Sequence, residues 1–382
     1  MNFHYMFIIQ GDTMRKFFLR FISMFLLVLI INSSMVYTCY SKELNVNAVS
    51  AIAIDGNSGR VVYEKNAYSS IAIASTTKII TALVALNYGI LDEEFVISKN
   101  AASIRGSNVG YKENEKITLH ELLYGLMFKS GNDAAIAIAE GISGSVEEFC
   151  KLMNEYCLQI GLTNSHFESP HGLDSMYHYS TAYDLAMATK KAKEIPKFDE
   201  IVSSKFVPKE KYNFTRDYQN INKLLYQMPN ANGVKTGYTG NAGKCLVSSV
   251  HMDGGDIIIV TLNCTPRWEE TKKIFNYVKE NYEYKKLFSK GELVKKIDVE
   301  DGKEPLELSI DKDINMLAKK GEELKVEIKA PNTLKAPVNK DEMIGSIVIS
   351  DEKEQLLCEP LITNNHVDKK PFYQILKEKV FD

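Results

Sequence analysis

The 382-residue chain is poor in cysteine, and its six thiols do not make a disulfide framework at this length. Cys150 and Cys157 are seven residues apart on a predicted helix, about 10 Å by helical rise, which is beyond disulfide reach. Cys245, Cys264 and Cys358 fall in apolar, strand-like stretches and are expected to be core thiols. No cysteine–histidine spacing suggests zinc, and no metal or cofactor is implied. Strong charge of either sign is also missing. A net charge of -3 gives no reason to expect a nucleic-acid partner.

Long hydrophobic runs are scarce as well. The main one, Phe21 to Ile31, is shorter than the roughly 20 residues that a membrane-spanning helix needs. Met14-Arg15-Lys16 precedes it, and small or polar residues follow up to Ser41. Residues 1–41 therefore read as a secretory signal peptide, with Met14 the better start because it puts the positive charge first. An uncleaved anchor is the competing reading. Cleavage is expected between Thr38 and Ser41, although no A-x-A site fixes the bond. Cys39 does not read as a lipidation site, since bulky Tyr37 stands two residues before it.

The remaining chain is long enough for two domains. Its most informative stretch is Ser75-Thr76-Thr77-Lys78, leading into the apolar run Ile79 to Leu86. A serine and a lysine three apart on a helix can touch. The serine needs a base to become a nucleophile, and lysine serves only if burial or a second cation lowers its pKa. Taken alone, the pattern is weak, and the pair reads more readily as a helix cap beside a solvated lysine.

Two further stretches share that ambiguity. Ser130-Gly131-Asn132 lies at a helix–loop–helix junction ahead of the alanine-rich Ala134 to Ala139, whose small residues imply tight packing in a core. Its side chains could face a cleft, or Asn132 could simply cap the next helix. Lys235-Thr236-Gly237-Tyr238 reads as strand, and its glycine marks a place where another backbone approaches closely. His171, between Pro170 and Gly172, reads as structural, because no G-x-S-x-G elbow accompanies it.

Other elements frame these three stretches. Asn47–Ile54 and Arg60–Glu64 pair as strands across a turn, and Lys244–Val250 and Asp256–Asn263 are strands. Helices are expected over 119–127, 146–160, from Ser180 or Thr181 onward, and from Arg267 to Tyr282. Beyond Tyr284, short alternating segments indicate a small antiparallel β domain. The tail Phe372 to Phe381 is mildly amphipathic, compatible with a membrane-surface helix or with a frayed terminus.

Ser75-x-x-Lys78, Ser130-Gly131-Asn132 and Lys235-Thr236-Gly237, in that order, resemble the motif set of penicillin-binding proteins and serine β-lactamases. The stretch from Ser169-Pro170-His171-Gly172-Leu173-Asp174 to Ser180-Thr181-Ala182, with the C-terminal β domain, narrows the resemblance. It points to low-molecular-mass penicillin-binding proteins of the D-alanyl-D-alanine carboxypeptidase family. The resemblance covers roughly residues 45–365.

It implies an α/β two-lobed fold, antiparallel sheet plus helical lobe, followed by an all-β domain. The implied layout is a catalytic domain over 42–283, a β domain over 284–365 and a tail over 366–382. Ser75 would attack the peptide bond between two terminal D-alanines of a peptidoglycan stem, and β-lactams would acylate it. Lys78 would be the base, with Lys235 lowering its pKa. Ser130 would relay a proton, and Asn132 would hold Lys78 and the substrate amide. The N–H groups of Ser75 and Tyr238 would form the oxyanion hole. Gly237 would leave room for the substrate backbone, and Thr236 and Arg267 would take its terminal carboxylate. The protein would work outside the cytoplasm, at the cell wall or the outer face of the bacterial cytoplasmic membrane.

Three departures from the family pattern stand out, one of them a tail without a long amphipathic anchor. Tyr238 replaces a common histidine, and Asn339-Lys340-Asp341-Glu342 replaces a more usual turn. A β-lactamase reading lacks the E-x-x-L-N-type loop, and an inactive scaffold would be expected to lose Ser75, Lys78 or Lys235. An endopeptidase acting on cross-linked peptides would use the same nucleophile, and sequence does not separate it.

Overall fold

The computed structural model describes residues 44–381, so the expected signal segment lies outside the described residues. Five antiparallel strands form the central sheet: β1 (Ala48–Asp55), β2 (Val61–Lys65), β3 (Ala231–Thr239), β4 (Gly243–Met252) and β5 (Gly255–Cys264). Their order is β2-β1-β5-β4-β3, which leaves β3 on an edge. Cys245–Val250 and Ile257–Leu262 are continuously buried, because helices cover both faces. An edge strand beside the helical lobe gives a substrate backbone somewhere to pair.

The lobe surrounds α1 (Lys78–Tyr88), whose residues Lys78 to Ala85 are all buried. A helix covered all round belongs at the centre of a core. Around it lie α2 (Leu119–Phe128), α3 (Asn132–Ser143), α4 (Val146–Gln159) and α5 (Ala182–Lys193). Thr118, Ser145 and Thr181 cap three of these, each accepting the N–H three residues on. Two further helices, α6 (Pro196–Ser203) and α7 (Arg267–Asn281), pack on the sheet. The expectation for the final helix is met; α6 has no counterpart in the sequence reading.

A second, six-stranded sheet follows, with its own apolar core of Ile297, Leu306, Leu308, Ile347, Leu361, Val367 and neighbours. Two expected boundaries shift. The strand Tyr282–Phe288 runs straight through the expected junction at 283/284, and it pairs within the β domain. The expected tail start at 366 also fails, since Val367 is fully buried and bridges Val338. The terminal helix begins only at Phe372. Cys358 is exposed rather than a core thiol, because its strand is wet on that face. The other four cysteines among the described residues are buried and free.

Arg60 fastens the two sheets together. Its guanidinium donates to Glu322 at 2.8 and 2.6 Å, to Asp351 at 3.0 Å and to the Leu317 carbonyl at 3.1 Å. Tyr284 donates to Asp55 at 2.7 Å beside it.

Candidate active site

Ser75 does not cap the helix. It sits in a single 3-10 turn, Ala74–Thr77, that feeds α1, and Ala74 just before it holds a left-handed φ of 50°. A strained residue of this kind persists only where its surroundings over-determine it. Here Thr77 Oγ1 donates to the Ala74 carbonyl at 2.8 Å, and His178 Nε2 lies 2.8 Å from the same hydroxyl. His178 Nδ1 accepts from the Glu168 N–H at 3.1 Å, which leaves the ring proton on Nε2 to donate to Thr77. Burial pushes the His178 pKa down to about 4, so the ring is neutral. Gly172, at φ +82, presses on the same turn; a Cβ there would lie 2.0 Å from the Ala74 oxygen.

Lys78 is completely buried on the first turn of α1. Its Nζ reaches Ser75 Oγ at 3.1 Å, Asn132 Oδ1 at 2.8 Å and the His171 carbonyl at 2.7 Å. Burial first, then the charge of Lys235, holds its pKa well below the usual lysine range; Asp133 offsets part of this. A neutral amine has only two N–H bonds, so its lone pair is available to the Ser75 hydroxyl proton. Asn132 Oδ1 and the His171 carbonyl accept its two N–H bonds, which aims the lone pair at Ser75.

Asn132 is the first residue of α3, and Gly131 occupies the cap position. Freed from capping, its side chain accepts from Lys78 and donates to the Arg105 carbonyl at 2.7 Å. Asp133 next to it accepts the N–H groups of Val109, Gly110 and Tyr111 at 2.8–3.2 Å, which holds the 105–111 loop in place. Ser130 is buried in a left-handed conformation, φ 60°. Among the described residues no hydrogen bond joins the Ser130 or Lys235 side chains to Ser75 or Lys78. Lys235 acts on Lys78 through its charge.

Lys235, Thr236 and Gly237 lie in the buried part of edge strand β3. Lys235 donates to the Thr236 carbonyl at 3.1 Å, and its pKa is pushed down to about 7 by burial and then by Arg267. At Gly237 an added Cβ would lie 3.1 Å from both the Ile73 oxygen and the Ser75 nitrogen, tighter than most real contacts. The expected close approach of backbone is therefore between this strand and the nucleophile turn. Tyr238 is 68% exposed, its ring turned to solvent. Arg267 opens α7, and its Nη1 donates to the carbonyls of Gly237 at 2.7 Å and Cys245 at 3.0 Å. Thr236 and Arg267 line one cavity of about 320 Å³.

Sequence reading missed the supports. The His171 carbonyl, the Thr77–His178 pair and Asp133 act through backbone atoms or through other side chains. Asp174 was also missed; it ties the 171–179 loop to strand β3 by accepting from Thr239 Oγ1 at 2.6 Å and the Asn241 N–H at 3.2 Å. His171 itself reads correctly as structural, since its ring, pushed down to a pKa of about 3 by burial, accepts the Leu173 N–H.

An antiparallel sheet beside a helical lobe, with a serine and a buried lysine at the head of the central helix, is the architecture of the penicillin-binding proteins. The D-alanyl-D-alanine carboxypeptidase family profile matches residues 37–265, and the profile of the penicillin-binding protein 5 C-terminal domain matches residues 282–369. The chain is 35% identical over 358 residues to D-alanyl-D-alanine carboxypeptidase DacF of Bacillus subtilis (strain 168), covering 90% of this chain and 91% of that one. It is 31% identical over 219 residues to a D-alanyl-D-alanine endopeptidase of Pseudomonas aeruginosa, covering 56% of this chain and 70% of that one. The crystal structure of penicillin binding protein 5 from Haemophilus influenzae superposes with a TM-score of 0.70 at 28% identity, over 85% of this chain and 98% of that one. The chain belongs to the D-alanyl-D-alanine carboxypeptidase family of serine peptidases, the low-molecular-mass penicillin-binding proteins.

Proposed function

We propose that this enzyme removes the terminal D-alanine from peptidoglycan pentapeptide stems through an acyl-enzyme on Ser75. The observation that carries this reading is the fully buried Lys78 amine, 3.1 Å from Ser75 Oγ. Neutral Lys78 takes the Ser75 proton as the oxygen attacks the carbonyl carbon of the penultimate D-alanine. The resulting oxyanion is met by the N–H groups of Ser75 and Tyr238; donors of this kind are worth about 3 kcal/mol each in the transition state. Ser130 passes the proton to the departing amine. Asn132 keeps Lys78 in place and holds the substrate amide, while Gly237 lets the substrate backbone lie along β3. Thr236 and Arg267 take the terminal carboxylate, with Lys235 adding positive charge beside them. Water then releases the shortened stem. A β-lactam follows the same route and stays attached to Ser75. The protein is exported and works at the cell wall or the outer face of the bacterial cytoplasmic membrane.

The test is D-alanine release from a pentapeptide ending in D-Ala-D-Ala, by the parent and by Ser75→Ala. Release by the parent alone supports the reading. Cleavage of cross-linked dimers without D-alanine release would replace it with an endopeptidase. No cleavage of either substrate would sink it.

A further inference from the structure

The cavity that Thr236 and Arg267 share extends past the position assigned to the terminal carboxylate. Its walls include the apolar faces of Ile221 and Trp268 and two further cations, Lys223 and Lys244. The Arg267 guanidinium stacks on the Trp268 ring at 4.8 Å, and its Nε is buried with no hydrogen-bond partner. Among the described residues none of Lys223, Lys244 and Arg267 is paired with a carboxylate. The chain as a whole is slightly acidic, so three unpaired cations around one cavity are not an overflow of basic residues. At about 320 Å³, the space reaches the lower end of ordinary ligand pockets.

From this arrangement we infer that the cavity is a second anion subsite on the leaving-group side. Among departing D-residues with side chains longer than alanine, it favours one that carries a further carboxylate over one that carries a cation. The inference rests on the carboxypeptidase reading and sharpens its substrate class. The chemistry is unchanged: the peptide C–N bond breaks, the Ser75 ester forms, and the leaving amine gains the proton. The departing residue alone differs. Its α-carboxylate occupies Thr236 and Arg267, its methylene groups lie on Trp268 and Ile221, and its second carboxylate faces Lys223 and Lys244. A cationic side chain in the same place meets two like charges.

The experiment compares kcat/KM of the full chain on three peptides that differ only in the last residue: D-Ala, D-Glu or D-Lys. D-Glu should be released at least about tenfold more efficiently than D-Lys, and added salt should shrink that ratio. Values for the Lys223→Gln/Lys244→Gln variant, normalised to its own D-Ala-D-Ala activity, should bring the ratio near one. A ratio near one in the parent, or one untouched by the two substitutions, overturns the subsite and leaves the carboxypeptidase standing. Absence of D-alanine release from the D-Ala peptide overturns both. Lys244→Gln alone, read against salt, covers the case of a double variant that does not fold.

Discussion

At Lys78 two acceptors and the Ser75 hydroxyl surround an amine that burial and Lys235 keep from holding its proton tightly. The arrangement carries a stability cost, and it shows most clearly at Lys235. Its pKa is about 7 in the folded chain against an ordinary 10.5, so above about 7 the unfolded chain binds more protons. Stability from this group therefore rises with pH between those values, and at or below the folded pKa the penalty is complete. Lys235→Met should then be more stable than the parent near pH 6, by roughly a few kcal/mol at about 1.4 kcal/mol per pK unit, and melt at a higher temperature. The gain should fade toward pH 10.5. Scanning calorimetry across pH checks this, and a variant less stable than the parent near pH 6 would contradict it.

The 3-10 turn and the 171–178 loop act as one element. Gly172 packs on the Ala74 carbonyl, the His171 carbonyl holds Lys78, and His178 holds Thr77, which in turn holds Ala74. Neutral His178 donating to Thr77 fixes the strained residue before the nucleophile. Thr77→Val and His178→Ala should each slow acylation by a labelled penicillin about tenfold, and the double variant should be no slower than either. His178→Gln, which keeps a donor, should recover part of the rate. Additive losses in the double variant would mean the two side chains act separately.

This loop also marks the limit of what the sequence could reveal. Ser75 and Lys78 stood out in the sequence because side-chain type and spacing carry their chemistry. The supports were not legible, because a backbone carbonyl such as that of His171 can belong to any residue. Asn132 was ambiguous for another reason: capping and cleft-facing roles begin with the same residue type, and only the cap taken by Gly131 decides between them.

For the molecule as a whole, the C-terminal β domain was legible from alternating hydrophobicity and the two-lobed fold only through the resemblance its motifs carry, and the junctions were not legible. The strand from Tyr282 and the bridge at Val367 depend on pairing with distant segments, Ile314–Lys319 and Val338. Arg60 shows the same limit, since nothing local predicts that it will bind Glu322 and Asp351. The terminal helix leaves Phe372, Tyr373 and Leu376 exposed, at 77%, 68% and 53%. Lying on the outer membrane face would bury these groups. If the tail is a membrane-surface helix rather than a frayed terminus, deleting residues 371–382, a cut that spares the β-domain core, shifts the protein from the membrane fraction to the soluble one. Unchanged partitioning would argue against the anchor.

The pairing of Ser75 with Lys78 is the centre of the account, and the most direct test is acylation by a labelled penicillin, with peptide mapping of the label. The parent should carry the label on Ser75. Lys78→Ala should fold and melt cooperatively, yet acylate about 10²–10⁴-fold more slowly, the usual contribution of a general base. A label on another residue, or rapid labelling retained in Lys78→Ala, would contradict the assignment of nucleophile and base.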